Sequence, residues 1–223
     1  MVKYIDAHCH AYTTPDVGVI SNAAQIADWP HVIKQLNPDG DIYGAIGTHP
    51  WFINSLPDNW ESELISCLQI NPELLIGEIG LDKHHPDIDG QIRVFERHLD
   101  IAHEFNRGVC LHCVGAWERI AHILRMRRNV LPRFILAHGY NGPENQIKKF
   151  ASEYNMYFSY GPRNLARTSH ISHTPINRIL SETDTDNPSG VIGVVKQISE
   201  ILHIDHDEMA DIIYANTKRM LNK

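Results

Sequence analysis

Six side chains able to ligate a metal recur at the ends of apolar, strand-like runs. His8 and His10 close the run KYIDAHCH, and Glu78 closes the apolar part of LLIGEIGLD. His112 follows GVCL, His138 follows RFILA, and Asp184 follows RILSET. Imidazole and carboxylate are suitable ligands for divalent cations. Residues two apart on a strand project to the same side, so His8 and His10 form a ready pair, with Asp6 on that side one step deeper. Four histidines and two carboxylates, set at the ends of five separate β-like segments, match a two-metal hydrolytic site. Two ions about 3.5–4 Å apart lower the pKa of a bridging water and clamp substrate oxygens. Each residue also has a plainer reading, as a satisfied core histidine, a paired glutamate or a turn cap. It is the set of six that points to chemistry.

Such a set needs elements that bring its members together. Short apolar runs alternate with amphipathic stretches along the chain. The predicted strands are Tyr4–Cys9, Gly18–Ala23, Ile42–Gly47, Leu74–Gly77, Val109–Cys113, Arg133–Ala137, Met156–Tyr160 and Arg178–Ser181. Several are continuously apolar, as in a parallel sheet covered on both faces. Between them, Ile92, Phe95, Leu99, Ala102 and Phe105 follow a helical stripe. Ile147, Phe150, Ala151 and Tyr154 make another, and Val194, Val195, Ile198, Ile201 and Leu202 a third. Pro143 before Glu144 suits a helix start, and Asp205 suits the cap of a last helix.

Eight strands alternating with helices predict an α/β fold, a parallel (β/α)8 TIM-type barrel formed by residues 1–223 as one domain. Such barrels typically need about 250 residues, whereas this chain has 223. One or two outer helices are therefore expected to be shortened or missing. The places are Ala11–Val17, which contains Pro15, and Pro162–Asn177. In such a barrel the active site forms at the C-terminal ends of the strands.

Composition sets outer bounds. The formal charge of −7 argues against a protein that coats long nucleic acid through a broad basic face. It leaves room for an enzyme that grips one phosphodiester, because bound cations supply local positive charge. No run of about 18 apolar residues predicts a membrane span, and MVKYIDAHCH lacks a signal-peptide core. The expected location is the cytoplasm, with no membrane and no obligate protein partner. Cys9, Cys67, Cys110 and Cys113 are too few and scattered for a disulfide scaffold. Cys110 and Cys113 sit three apart in a strand, face opposite sides, and read as reduced buried thiols.

DAHCH, GTHPWF, IGEIGLD, the histidine of CLHC, AHGYNG and SETD, in that order, resemble the TatD family of metal-dependent deoxyribonucleases, within the amidohydrolase-like barrels. The resemblance runs from Asp6 to NTKRML near the C-terminus. It implies two divalent cations, with activity in magnesium or manganese, whereas four imidazoles favour zinc or a similar ion. It implies that His8, His10 and Asp184 bind one metal, His112 and His138 the second, and that Glu78 bridges both. His49 then sits near the metals and meets the substrate phosphate, and Asp184 also accepts a proton. The implied reaction is hydrolysis of DNA or a small phosphodiester, as an exonuclease.

The chain departs from the family pattern around the substrate. Where the family often has HSR, this chain has His112-Cys113-Val114, without the arginine. HCFSG is replaced by AHGYNG, and ETDxP by ETDTDNP. Arg163 and Arg167 are the candidates to replace that arginine. Trp51 and Phe52 either stack a base or pack their loop. Two further readings stay open: an amidohydrolase cleaving a C–N or ester bond of a small molecule, and a metal-holding barrel without catalysis. The arginine run Arg125–Arg128 reads as a solvated helix end.

Overall fold

The computed structural model describes residues 4–11 and 17–223. The strands are β1 (Ile5–Cys9), β2 (Gly18–Asn22), β3 (Ile42–Ile46), β4 (Leu75–Asp82), β5 (Val109–Val114), β6 (Ile135–Ala137), β7 (Met156–Tyr160) and β8 (Ile179–Ser181). They form one eight-stranded sheet in sequence order, each parallel to the next. The barrel is the predicted one.

The helices are α1 (Trp29–Gln35), α2 (Trp60–Ile70), α3 (Ile88–Glu104), α4 (Trp117–Met126), α5 (Ile147–Glu153), α6 (Thr168–His173), α7 (Val191–Leu202) and α8 (His206–Leu221). Their predicted stripes face the sheet. Phe95, Leu99 and Ala102 of α3 are buried, as are Ile147, Phe150 and Ala151 of α5, and Val194, Val195 and Ile198 of α7. Burying one such Leu or Phe contributes about 2–3 kcal/mol. Asp205 caps α8 as expected, its carboxylate accepting the Asp207 and Glu208 N–H groups. Pro143 opens a single 3-10 turn, Glu144–Gln146, from which α5 continues.

The shortening of the outer layer is spread more widely than the sequence suggested. The β7–β8 link does hold only a six-residue α6. However, α1 and α5 are also brief, at seven residues each. In α1 the break comes at Leu36, whose ψ of 124° already leaves helical geometry ahead of Asn37 and Pro38. The expectation for Ala11–Val17 falls largely outside the described residues.

A second difference concerns β4. It does not stop at Gly77 but runs through Glu78 to Asp82, paired with β5 at Gly80–His112 and Asp82–Val114. Glycines usually weaken strands. Here Gly80 has φ 149°, and any Cβ on it would lie 1.8 Å from the His112 carbonyl oxygen. The glycines of GEIG thus allow β4 and β5 to approach closely, and they place Glu78 within a strand rather than at its end.

Two apolar layers result. One lies between sheet and helices. The other draws Ala7, Ile20, Ala45, Leu75, Cys110, Leu136, Tyr157 and Leu180 from all eight strands, together with Met220 and Leu221 of α8. A cluster fed by every strand and closed by one helix end is the barrel interior, sealed at its lower mouth. Cys110 belongs to this inner cluster and Cys113 to the outer one, so the two thiols do face opposite sides. All four cysteines are free. Burial pushes the Cys110 thiol far up, and that of Cys113 up to about 12. Among the described residues, no helix is long and apolar enough to cross a membrane.

The seam between β1 and β8 is closed by other means than a regular ladder. Asp184 N–H donates to the His8 carbonyl at 3.0 Å, and His10 N–H to the Thr185 carbonyl at 2.9 Å. The buried Asp6 carboxyl accepts from Thr183 N at 3.1 Å and from Thr183 Oγ1 at 2.5 Å. Asp6 therefore does not join the potential ligands. It also accepts the His8 N–H at 3.1 Å, so it fixes the backbone on which His8 sits.

Candidate metal centre

The residues flagged in the sequence converge on one carboxylate at the C-terminal ends of the strands. Glu78, buried in β4, presents its two oxygens to different partners. Oε2 lies 3.4 Å from His8 Nε2 and 3.7 Å from His10 Nε2. Oε1 lies 2.8 Å from His112 Nδ1, 2.9 Å from His138 Nε2 and 3.5 Å from His49 Nε2. Asp184, just past β8, adds its Oδ1 on the first side, 3.4 Å from His10 Nε2 and 3.7 Å from His8 Nε2. The backbone of Asp184 has φ 55°, a conformation that Asp tolerates better than most residues.

Three overlapping sets of possible ligand atoms lie within 4.8 Å of one another: His8, His10 and Asp184; His8, Glu78 and His138; His49, Glu78 and His112. The donor set fits divalent cations on a physical ground. Both ring nitrogens of buried His8 have no hydrogen-bond partner, and His112 Nδ1, His138 Nε2 and Glu78 Oε1 crowd within 3.1 Å of one another. Leaving a buried polar atom unpaired costs about 1–3 kcal/mol. Lone pairs that point at one another in this way are satisfied together by cations.

Electrostatics follow from this crowding. Burial pushes the Glu78 carboxyl up, but the imidazoles of His138, His8 and His112 outweigh it and hold Glu78 well below the usual range. Burial also opposes ionisation of Asp184. The hydrogen bond from His10 and the charge of His8 and His138 overcome it, bringing Asp184 to about 2. Burial, with neighbouring His138, lowers His8. It brings His49 down to about 4, helped by His112 and His138. His49 and Asp184 therefore stand as neutral imidazole and carboxylate at neutral pH.

Above the cluster opens a cavity of about 550 Å³, whose walls include Trp51, Phe52, Arg163 and Arg167. The ligand candidates, His49, Trp51 and the two arginines thus lie in the cluster or on this wall. Trp51 is half-exposed, and its indole N–H donates to Asp82 Oδ2 at 2.8 Å. Arg163, on the loop after β7, pairs with Asp184 Oδ2 and is otherwise open to solvent. Asn164 holds this loop, accepting Gly161 N–H at 2.7 Å and donating to the Tyr140 carbonyl at 3.2 Å.

Two supporting carboxylates were not singled out in the sequence. Glu182 is buried, accepts from Gly139 N at 3.1 Å and from Ser159 Oγ, and lies 3.8 Å from His138 Nδ1. Asp82 lies 3.9 Å from His112 Nε2. The signal was present as spacing: Glu182 stands two before Asp184, and Asp82 four after Glu78, so each shares a strand-like face with a flagged carboxylate. Carboxylates behind ligating histidines commonly fix ring orientation.

A closed parallel barrel with this cluster at the C-terminal ends of its strands belongs to the metal-dependent hydrolases. A profile of the family described as TatD related DNase matches residues 5–222, and the chain belongs to that family. An uncharacterized metal-dependent hydrolase of Methanocaldococcus jannaschii is 24% identical, over 100% of this chain and 98% of that protein. A protein of Edwardsiella piscicida named 3'-5' ssDNA/RNA exonuclease TatD is 26% identical, over 68% of this chain and 60% of its own length. Among solved structures, the TatD homologue YjjV of Escherichia coli superposes with a TM-score of 0.88 at 23% identity, covering 99% of this chain and 98% of that one. That likeness concerns the fold.

Proposed function

We propose that this chain is a two-metal phosphodiesterase that degrades DNA from a strand end, a TatD-like deoxyribonuclease. The observation that carries the reading is the division of Glu78: Oε2 faces His8 and His10, and Oε1 faces His112 and His138. In this reading His8, His10 and Asp184 hold one cation, His112 and His138 hold the other, and Glu78 serves both. Bound there, divalent cations make hydroxide available at neutral pH and offset charge on the phosphoryl and leaving oxygens. The name of the Edwardsiella relative, an exonuclease on single-stranded DNA and RNA, supports the choice of substrate.

The protein's own groups supply the rest. Asp184 is ionised at neutral pH and accepts the proton of the attacking water at its carboxylate. A carboxylate brought to about 2 is a weak base, so its part is to orient that water as well as to take the proton. His49, neutral at the same pH, donates a hydrogen bond to a phosphoryl oxygen without adding charge. Arg163 and Arg167 provide the cationic contact that His112-Cys113-Val114 lacks. Buried Glu182 and Asp82 keep His138 and His112 in place.

The test is hydrolysis of a labelled single-stranded oligonucleotide and of a simple phosphodiester, in EDTA and after addition of magnesium, manganese or zinc. Metal-dependent release of nucleotides is the expected outcome, and its absence with every metal sinks the reading. An amide substrate series run in parallel separates the phosphodiesterase from an amidohydrolase using the same cluster. Elemental analysis of the purified protein identifies the resident ion.

A further inference from the structure

Trp51 stands out at the cavity rim because it is both open and firmly held. It is 54% exposed, whereas Pro50 before it and Ile53 two positions later are buried. Partial exposure of a large ring means little alone. The tethering is what matters. The indole N–H donates to Asp82 Oδ2 at 2.8 Å, and Asp82 also accepts the His84 N–H at 2.8 Å. The His85 ring lies nearly parallel to the indole, with planes 17° apart and centroids 6.0 Å apart. On the cavity side His49 meets the indole edge-on, centroids 5.1 Å apart, and its Nδ1 accepts the Trp51 backbone N–H at 3.2 Å. Asp82 and His49 both lead inward, the first to His112 at 3.9 Å and the second to Glu78 at 3.5 Å.

A tryptophan that only packs a loop buries its ring, and an idle surface tryptophan is free to change rotamer. Trp51 does neither. Its ring is fixed in advance, so little side-chain entropy is lost when a flat partner settles on it. The flat, weakly polar group next to a phosphodiester is a nucleobase. The geometry points to Trp51 as the stacking platform for the base beside the cleaved linkage, set in position by Asp82 and His85. This inference rests on the phosphodiesterase reading above. A base can lie on the platform only after leaving its neighbours, so the cleaved linkage belongs to an unpaired strand. Stacking is tolerant of sequence because every base offers a π face.

The experiment is a two-way cycle with the metal-loaded enzyme. Oligonucleotides carry an abasic residue on one side or the other of the linkage that product analysis identifies as cleaved. Removing the base on one side is expected to raise KM about tenfold with kcat nearly constant, as loss of one base stack predicts. Trp51→Ala should raise KM on the intact strand by the same factor and add nothing on that abasic strand. Trp51→Phe, which keeps a ring but cannot donate to Asp82, should recover only part of the loss. Metal content should not change. A KM increase in Trp51→Ala that is equal on intact and abasic strands, or no increase at all, overturns the platform while leaving the phosphodiesterase reading intact. A fall in kcat accompanied by metal loss also overturns it, by making Trp51 a support of the metal cluster. Absence of turnover by the wild type on intact strands overturns the underlying reading first, and the platform with it.

Discussion

The barrel buries a polar cluster at each end, and the two are built on opposite terms. At the lower mouth, Asp41 before β3 accepts Lys218 Nζ at 2.6 Å and the Tyr43 hydroxyl at 3.1 Å on one oxygen, and the Tyr214 hydroxyl at 2.8 Å on the other. Lys218 also reaches the Tyr43 hydroxyl at 2.9 Å. Burial pulls the ammonium down, yet its bonds to Asp41 and Tyr43 hold it well above the usual lysine range. Each donor there has an acceptor. At the upper mouth acceptors crowd together: His112 Nδ1, His138 Nε2 and Glu78 Oε1 lie within 3.1 Å of one another, and neither ring nitrogen of buried His8 has a partner. The lower cluster is complete in itself and ties α8 to the barrel. The upper one has a donor set that fits divalent cations.

The comparison fails first at Glu78. Glu78→Ala should lower kcat at least a thousandfold and deplete bound metal, as loss of a shared ligand predicts. Activity assays with elemental analysis check both. An active, metal-replete variant would remove the contrast between the two ends.

Metal titration followed by thermal unfolding sharpens the contrast. An ion at about 100 times its Kd stabilises by about 2.7 kcal/mol, which is roughly a 5–10 °C rise in Tm for a chain of this size. The rise should vanish in Glu78→Ala and persist in Asp41→Asn. Asp41→Asn itself should destabilise by about 2 kcal/mol, because it leaves the Lys218 charge without its counterion. Asparagine keeps the left-handed backbone at φ 57° accessible. Denaturant unfolding measures the loss, and kcat and KM should stay within twofold.

The smallest effect on stability belongs to the exposed arginines. Arg163→Ala with Arg167→Ala should change unfolding free energy by less than about 0.5 kcal/mol, since exposed pairs contribute little. The same pair of changes should lower kcat/KM on a phosphodiester about tenfold. Unchanged catalytic efficiency would show that neither arginine takes over from the missing cation after His112.

The upper cluster was far more legible in the sequence than the lower one. Histidines and carboxylates that break apolar runs are conspicuous, because a parallel strand covered on both faces otherwise admits few charged residues. His8, His10, His112, His138 and Asp184 could be picked out on that ground alone. Glu78 was found for its type but misplaced in its strand, since the glycines of GEIG look like a break until their contact with His112 is seen. Asp41 and Lys218 give no such signal. They lie in loop-like and helical surroundings, 177 positions apart, where charged residues are ordinary. Glu182 and Asp82 were hidden by their flagged neighbours. The brief α1 and α5 passed unnoticed because a stripe of two turns and one of four look alike at their start.

The seam where Asp6 meets Thr183 also spans 177 positions. His8 and His10 lie on one lip and Asp184 on the other. Contacts between distant parts of a chain form late in folding, after local ones. A chain that has raised its strands but not yet zipped this seam owns every histidine of the cluster and still lacks Asp184 beside His8 and His10. In the two-metal reading proposed above, a cation held by His8, His10 and Asp184 would join the two lips and act as a clasp on the finished cylinder.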